Sequence, residues 1–440
     1  MNLVSRDIVA IRRPVLRILL SAYACEPGKG SEPGVGWQWA VALARAGHEV
    51  WVITRANNRS VIERALAEQP VPNVKFVYHD LAAWARWWKR GGRGVRFYYV
   101  LWQWGAYRIA RRLTRKLRFD VVHHITFGVF RHPSFMAFLG VPFVFGPVGG
   151  GETTPPQLRA TLPLRGYLTE CVRDVANRVV QVDPVMAAVY RRSAAILCKT
   201  HETMSRIPAR YRNKCVVQLE VGIEEESRLE AGSGQDEDAG LRVLYVGRLI
   251  YWKGLHLALS AFAKLWDAYP QTHLTVIGSG PDENWFRTVA DRLGVRAAVT
   301  WIPWLERTAV MRVYSRHDVF LFPSLHDSSG NVVLEALSCG LPVVCLDTGG
   351  PAVLVDSSCG FRVHAGKPGG VVEGLAQSLV TLAADAELRR DMQTAAIRRA
   401  HRHFSWECQI ARMERLYHDL RASPEGARHQ VGQQIEGGVP

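Results

Sequence analysis

Asp318-Val-Phe-Leu-Phe-Pro-Ser324, Leu325-His-Asp327-Ser-Ser-Gly330-Asn331 and Val332-Val-Leu-Glu335-Ala-Leu-Ser-Cys-Gly340-Leu-Pro342 run consecutively, followed by Val343-Val-Cys-Leu346. Val319–Phe322 is a continuous apolar run, as expected of a strand buried on both faces. Pro323 stops it. Gly330 and Asn331 open a helix that closes at Cys339-Gly340, with Pro342 just beyond as a stop signal. The second apolar run makes this a strand–loop–helix–strand unit.

Chemistry gathers in the loop. The backbone N–H groups of Ser329, Gly330, Asn331 and Val332 are expected to point out of the helix start, where the dipole favours an anion such as a diphosphate. Gly330 lacks a Cβ and permits close approach. Glu335 lies in the second turn, within reach of hydroxyls carried by that phosphate. Asp327 stands eight positions earlier, on the anion's other side. Two acids flanking a phosphate cradle suit a nucleotide sugar. The plain alternative is a solvated loop acid and an exposed helix glutamate. Earlier, Arg242–Val246 reads as a strand followed by Gly247-Arg248-Leu-Ile-Tyr-Trp-Lys253-Gly254. Arg248 and Lys253 flank a tight turn and can converge on one anion, Arg as a fork and Lys as a point charge. Gly278 opens the turn after the next strand.

These segments resemble the donor-binding half of retaining glycosyltransferases of family 4. The matches are Pro323-Ser324, Gly330, Leu334-Glu335-Ala336, Gly340, Pro342-Val343-Val344 and the whole of the pattern from Gly247-Arg248 to Lys253-Gly254. Asp327 departs from the pattern, which has Glu. The resemblance implies a GT-B fold, with two doubly wound Rossmann-like α/β domains facing a central cleft. It implies a diphosphate clamp of Arg248 and Lys253, ribose binding by Glu335, sugar binding by Asp327, and a nucleobase against the backbone near Ile302. Val299–Ile302 is the strand end that carries this last contact.

The first half is looser. Leu16–Ala24 reads as a strand, then Cys25–Gly36 as a Gly-rich loop, then Trp37–Ala46 as a helix. The loop is not a dinucleotide fingerprint, because Trp39 replaces the third glycine and no acid ends the next strand. Its backbone is expected to face the cleft, with Gly36 approaching the donor and Glu32 as a cleft acid or a structural loop residue. Asp120-Val-Val-His123-His124 ends a strand where α/β ligands bind. Side chains alternate along a strand, so one of the two histidines faces the cleft. By resemblance His124 is preferred as the sugar contact, with His123 on the acceptor side. Gly149-Gly-Gly-Glu152 follows the next strand, and Glu152 reads as an acceptor-side acid or a surface loop residue. The Gly30–Gly36 and Gly146–Glu152 segments resemble members acting in cell-surface polysaccharide assembly.

Between 84 and 118, eleven Arg and Lys alternate with nine aromatics and no acid. Trp84, Trp87 and Trp88 share one helical face. With Arg90 and Arg93 they suit an anionic bilayer surface. Packing on the domain core and stacking on single-stranded nucleic acid are the alternatives.

At 440 residues the chain exceeds one core. We divide it into 15–223, a linker at 224–240, 241–403, a helix at 405–421 returning to the first domain, and a disordered tail at 423–440. The net charge of +15 points to anionic partners. The eight cysteines lack metal spacing and read as reduced thiols. No apolar stretch is long enough to span a bilayer, and no signal peptide is evident. Asp236–Asp238 mimics a metal-binding motif, but no apolar strand precedes it, so no metal is assigned and no cofactor beyond the substrate nucleotide.

The expectation is a retaining, metal-independent hexosyltransferase. It would move sugar from a nucleoside-diphosphate donor to a glycan or lipid-linked acceptor, in the cytoplasm, peripheral on the inner face of the membrane. A GT-B sugar-nucleotide epimerase, and a basic membrane- or nucleic-acid-binding module without catalysis, are the competing readings.

Overall fold

A computed structural model describes residues 14–82, 95–223 and 240–422. Its strands form two all-parallel sheets. The first contains β1 (Arg17–Ser21), β2 (Glu49–Arg55), β3 (Val74–His79), β4 (Val121–His124), β5 (Phe143–Val148), β6 (Ala195–Cys198) and β7 (Cys215–Val217), ordered 3-2-1-4-5-6-7. The second contains β8 (Arg242–Val246), β9 (His273–Ile277), β10 (Val299–Ile302), β11 (Val319–Phe322), β12 (Val343–Leu346) and β13 (Gly360–Val363), ordered 10-9-8-11-12-13. Every residue of β4, β11 and β12 is buried, as parallel strands covered on both faces require. This is the GT-B arrangement that the resemblance implies.

The strand order reverses between β1 and β4 in one sheet and between β8 and β11 in the other. Crevices at such reversals, beyond the strands' carboxyl ends, are where open α/β sheets bind ligands. The loops after β1, β4, β8 and β11 lie there. Gly254 joins two of them. Its φ is +71°, and a Cβ would sit 1.8 Å from the Pro323 carbonyl oxygen. Glycine is therefore required on both counts.

Two local readings need correction. The first helix spans Ser31–Arg45, not Trp37–Ala46. Pro33 is accommodated because first-turn amides lack intrahelical partners anyway, and Glu32 suits the positive end of the dipole. Gly36 therefore lies inside a helix. A Cβ there would meet the Ala24 carbonyl oxygen at 2.1 Å, so its smallness serves helix-on-strand packing. Residues 1–13, most of the 224–240 linker, the 423–440 tail, and Trp84, Trp87, Trp88, Arg90 and Arg93 lie outside the described residues.

The helix Trp406–Ala422 packs on the first domain, against Ser31–Arg45 and β4. Between the domains, Glu170 of the helix Leu164–Val179 is fully buried. It accepts from the Thr154 amide at 3.1 Å and the Tyr251 hydroxyl at 3.1 Å, and bonds His326 at 3.1 Å. Burial pushes its carboxyl up, but His326 and the Thr154 amide outweigh this and hold it at about 2. A depressed carboxyl stabilises the fold above its ordinary value of 4.5, and that stability drains away as pH falls toward about 2. We expect Glu170→Gln to melt roughly 2–6 °C below the parent at neutral pH. The gap should close on acidification through this window; a gap independent of pH would assign Glu170 no ionic role.

Candidate functional site

The helix Asn331–Ser338 begins behind Gly330, whose φ of +69° turns the chain into it. Asp327 caps this start. Its Oδ1 accepts from the amides of Ser329 and Gly330, both at 3.1 Å, and Lys253 Nζ donates to its Oδ2 at 2.5 Å. The amides expected to face a ligand are thus half committed, because an aspartate is short enough to fold back on the two or three residues after it. Burial pushes the Asp327 carboxyl up, but Lys253 and the two amides hold it below the usual carboxylate range. Three donors converge on one anionic group at a helix N-terminus, and that group is the protein's own.

Arg248 is exposed, and among the described residues no acid is seen paired with it. Lys253 is mostly covered. The pair flanks the turn as expected, but only Lys253 touches the helix start. Asn331 and Glu335 line a cleft of about 1280 Å3, opposite Gly28, Lys29 and Gly30 of the first domain and beside Arg307. Arg307 lies 3.7 Å from Glu335. Burial raises the Glu335 carboxyl, opposed by Arg307 and the Tyr314 hydroxyl. The Asn331 Oδ1 is buried there without a protein partner. Val332 gives its carbonyl to Tyr314. Gly278 and Ile302 bond each other, amide to carbonyl, at 2.9 Å, so the Ile302 carbonyl is taken up in closing the strand end.

First-domain residues deviate further. Gly36 does not approach the cleft; Gly30, at the same helix's N-cap, lines it instead. His123 is buried, with Nε2 donating to the Gly146 carbonyl at 2.6 Å and Nδ1 accepting from Tyr417 at 2.5 Å. Both nitrogens are spent, so it has no acceptor-side role. His124 is also buried, against Phe145, with Nε2 at 3.1 Å from the Tyr99 hydroxyl. Alternation sends the two rings to opposite faces of the sheet, and helices cover both faces. Burial lowers His123 to about 4 and His124 to about 3, so both are neutral at ordinary pH. Glu152 is neither surface residue nor open acid. It accepts from Thr200 at 2.6 Å, Thr203 at 2.7 Å, the Gly150 amide at 2.8 Å and, across the domain boundary, Ser328 at 2.7 Å. Burial pushes its carboxyl up, yet the three hydroxyls outweigh this.

A cluster missed by sequence reading sits between the domains. Lys199, at the end of β6, pairs with Glu220, and Glu220 accepts from Ser329 Oγ at 2.6 Å. Glu32 borders this cluster and accepts from the Phe127 amide at 2.7 Å. Burial pushes Lys199 down, but Glu220 and Glu32 together hold it above its usual value. Glu202 accepts from the Gly349 amide at 2.8 Å. Phe127 holds a φ of +56°, rare for a bulky residue, where β4 meets this cluster. The sequence signal for the cluster was faint: the two serines inside the Asp327–Gly330 loop.

Residues 231–399 match the family described as Glycosyl transferases group 1. A D-inositol 3-phosphate glycosyltransferase of Corynebacterium glutamicum (strain R) is 32% identical over 188 residues, which cover 41% of this chain and 44% of that one. The chain thus spans under half the length of such relatives. Two solved structures share the architecture nearly end to end. Sucrose-phosphate synthase (tll1590) from Thermosynechococcus elongatus superposes with a TM-score of 0.64 at 17% identity, over 92% of this chain and 99% of that one. Anabaena Alr3699/HepE in complex with UDP and glucose gives 0.59 at 15% identity, over 92% and 100%. Residues 231–399 are a glycosyl transferases group 1 domain, and the chain that contains them has the GT-B fold.

Proposed function

We propose that this protein is a retaining glycosyltransferase. It takes a hexosyl unit from a nucleoside-diphosphate sugar and places it on a hydroxyl of a glycan or lipid-linked acceptor, without a metal. The observation that carries the reading is the convergence of Lys253 Nζ and the Ser329 and Gly330 amides on one carboxylate at the sheet's reversal point. Donors already aimed at a buried anion are what a leaving diphosphate needs. The solved relative that holds UDP and glucose has the same fold, which agrees with this donor class.

In this reading the diphosphate takes up Lys253, the exposed Arg248 and the open first-turn amides of Asn331 and Val332. Asp327 turns toward the sugar hydroxyls, and Glu335, facing Gly30 across the cleft, holds the ribose. As the sugar–phosphate bond lengthens, negative charge builds on the leaving oxygen, and the cations and helix dipole stabilise it more than the ground state. The acceptor hydroxyl attacks the face that the diphosphate leaves, and its proton passes to the leaving phosphate. Closure of the two domains excludes water. Among the described residues no group of three or more His, Cys, Asp or Glu is arranged to hold a metal. No helix among them is long and apolar enough to cross a membrane. We place the protein at the inner face of the cytoplasmic membrane, with Trp84, Trp87, Trp88, Arg90 and Arg93 against anionic lipid, on the composition of that segment.

Lys253→Ala is expected to lower turnover about 10²–10³-fold with the fold retained; near-normal turnover would remove the clamp from the mechanism. Turnover should survive a chelator, and its loss would reveal a required metal. Thermal shift against free UDP, GDP, ADP and TDP should show stabilisation by one of them, unchanged by magnesium. A flat response to all four would count against a nucleotide donor.

A further inference from the structure

The helix Leu164–Val179 is built inside out. Its buried positions are Gly166, Glu170 and Asn177. Asn177 Oδ1 accepts from Arg131 at 2.7 Å, and Asp174 pairs with Arg159 at 2.7 Å. Glu170 makes the interdomain bonds described above. The outward stripe is apolar: Leu164, Leu168, Val172, Val175 and Val179 recur every three or four positions and continue to Val182. These side chains are 55–81% exposed. A surface helix ordinarily turns such a stripe to the core and its charges to water. Here polar bonds pin the charged face inward, so the apolar face has no partner within the described chain. A contiguous exposed strip of this kind marks a docking surface.

Charge decides between the occupants. Exposed Arg165 and Arg178 flank the stripe on either side. The helix's two acids, Glu170 and Asp174, both turn inward. Two copies packed stripe to stripe would bring arginine rims together with no acid of the helix to answer them, the reverse of the complementary flanks that specify helix pairing. An anionic lipid surface answers both features, taking the aliphatic side chains at the acyl boundary and the guanidinium groups at the headgroups. The net charge of +15 adds long-range attraction.

We propose that the Leu164–Val182 stripe is a membrane-docking face that lies in the plane of an anionic bilayer. The stripe is separate in sequence from the Trp84–Arg93 segment. Its position has a consequence that rests on the transferase reading. Glu170, on the opposite side of the same helix, bonds His326, the residue before Asp327. Docking would hold the donor loop about one helix diameter, roughly 10 Å, from the lipid, within reach of an acceptor borne on that surface.

The test uses the full chain and vesicles of phosphatidylcholine with a quarter phosphatidylglycerol, with no substrate present, so it does not depend on activity. Leu168→Ser/Val175→Ser leaves the charge unchanged and truncates side chains that are 56% and 59% exposed. It should weaken cosedimentation about tenfold or more at low salt while leaving the melting temperature unchanged. Arg165→Gln/Arg178→Gln should weaken binding to the anionic vesicles and leave the residual binding to pure phosphatidylcholine unchanged. Three results would each overturn the assignment. One is undiminished binding of Leu168→Ser/Val175→Ser while Trp87→Ser/Trp88→Ser loses it. Another is a fall in melting temperature on Leu168→Ser/Val175→Ser, which would mean the chain covers its own stripe. The third is a dimer in sedimentation velocity that the serine variant dissolves.

Discussion

The Asp327 carboxylate fixes the loop at which the two domains meet. It binds Lys253 on one oxygen and two helix-start amides on the other, and its own carbonyl accepts from the Gly350 amide at 2.7 Å. The next two side chains, Ser328 and Ser329, reach the opposite domain at Glu152 and Glu220. One four-residue loop therefore ties together its own sheet, the turn after β8 and the facing domain. A buried ion pair is weak evidence of stability by itself, since desolvation offsets much of the attraction. Its worth here lies in geometry. Lys253 is held at the helix start before any ligand arrives, so what binding requires is the exchange of the Asp327 carboxylate for the incoming anion.

The facing domain contributes chiefly carboxylates. Glu152, Glu170, Glu202 and Glu220 all reach across to the second domain, to Ser328, to His326 and Tyr251, to the Gly349 amide and to Ser329. Each is largely buried or hydrogen-bonded, and Lys199 supplies the neutralising charge at Glu220. Acids at a domain boundary beside an anion cradle have two effects. They hold the cleft shut through directed bonds, and they repel an incoming anion that is not guided to the cations. Such a boundary favours a ligand large enough to replace several of these bonds at once.

The second domain was nearly transparent to sequence reading, and the reasons are local. Apolar runs of four or five residues, glycines at forced turns and a proline stop are all signals with short range, and β8, β11, β12 and the helix Asn331–Ser338 emerged with their ends nearly in place. Lys253 and Asp327 were both singled out, although their mutual bond spans 74 positions and nothing in the sequence pairs them. The first domain was harder. Gly34 and Gly36 resemble loop glycines, and only the proximity of the Lys29 and Ala24 carbonyls shows that they are helix-packing glycines. His123 and His124 occupy a position that faces the cleft in open sheets, but their burial depends on Tyr417 and Tyr99, which arrive from a distant helix and from a segment read for its charge. Glu152 looked like a loop acid, and Glu220 drew no reading at all, because each bonds a serine more than 100 positions away.

The helix Trp406–Ala422 carries an implication for biosynthesis. His123 finds its partner Tyr417 across 294 positions, and His48 reaches Glu414 across 366. The cores of β1 and β4 are thus finished by residues translated after the whole second domain. During vectorial synthesis the first domain must wait with His123 and Trp39 uncovered while the second folds. A chaperone that shields this face, or a ribosome that pauses late, would act on the completion of the first domain.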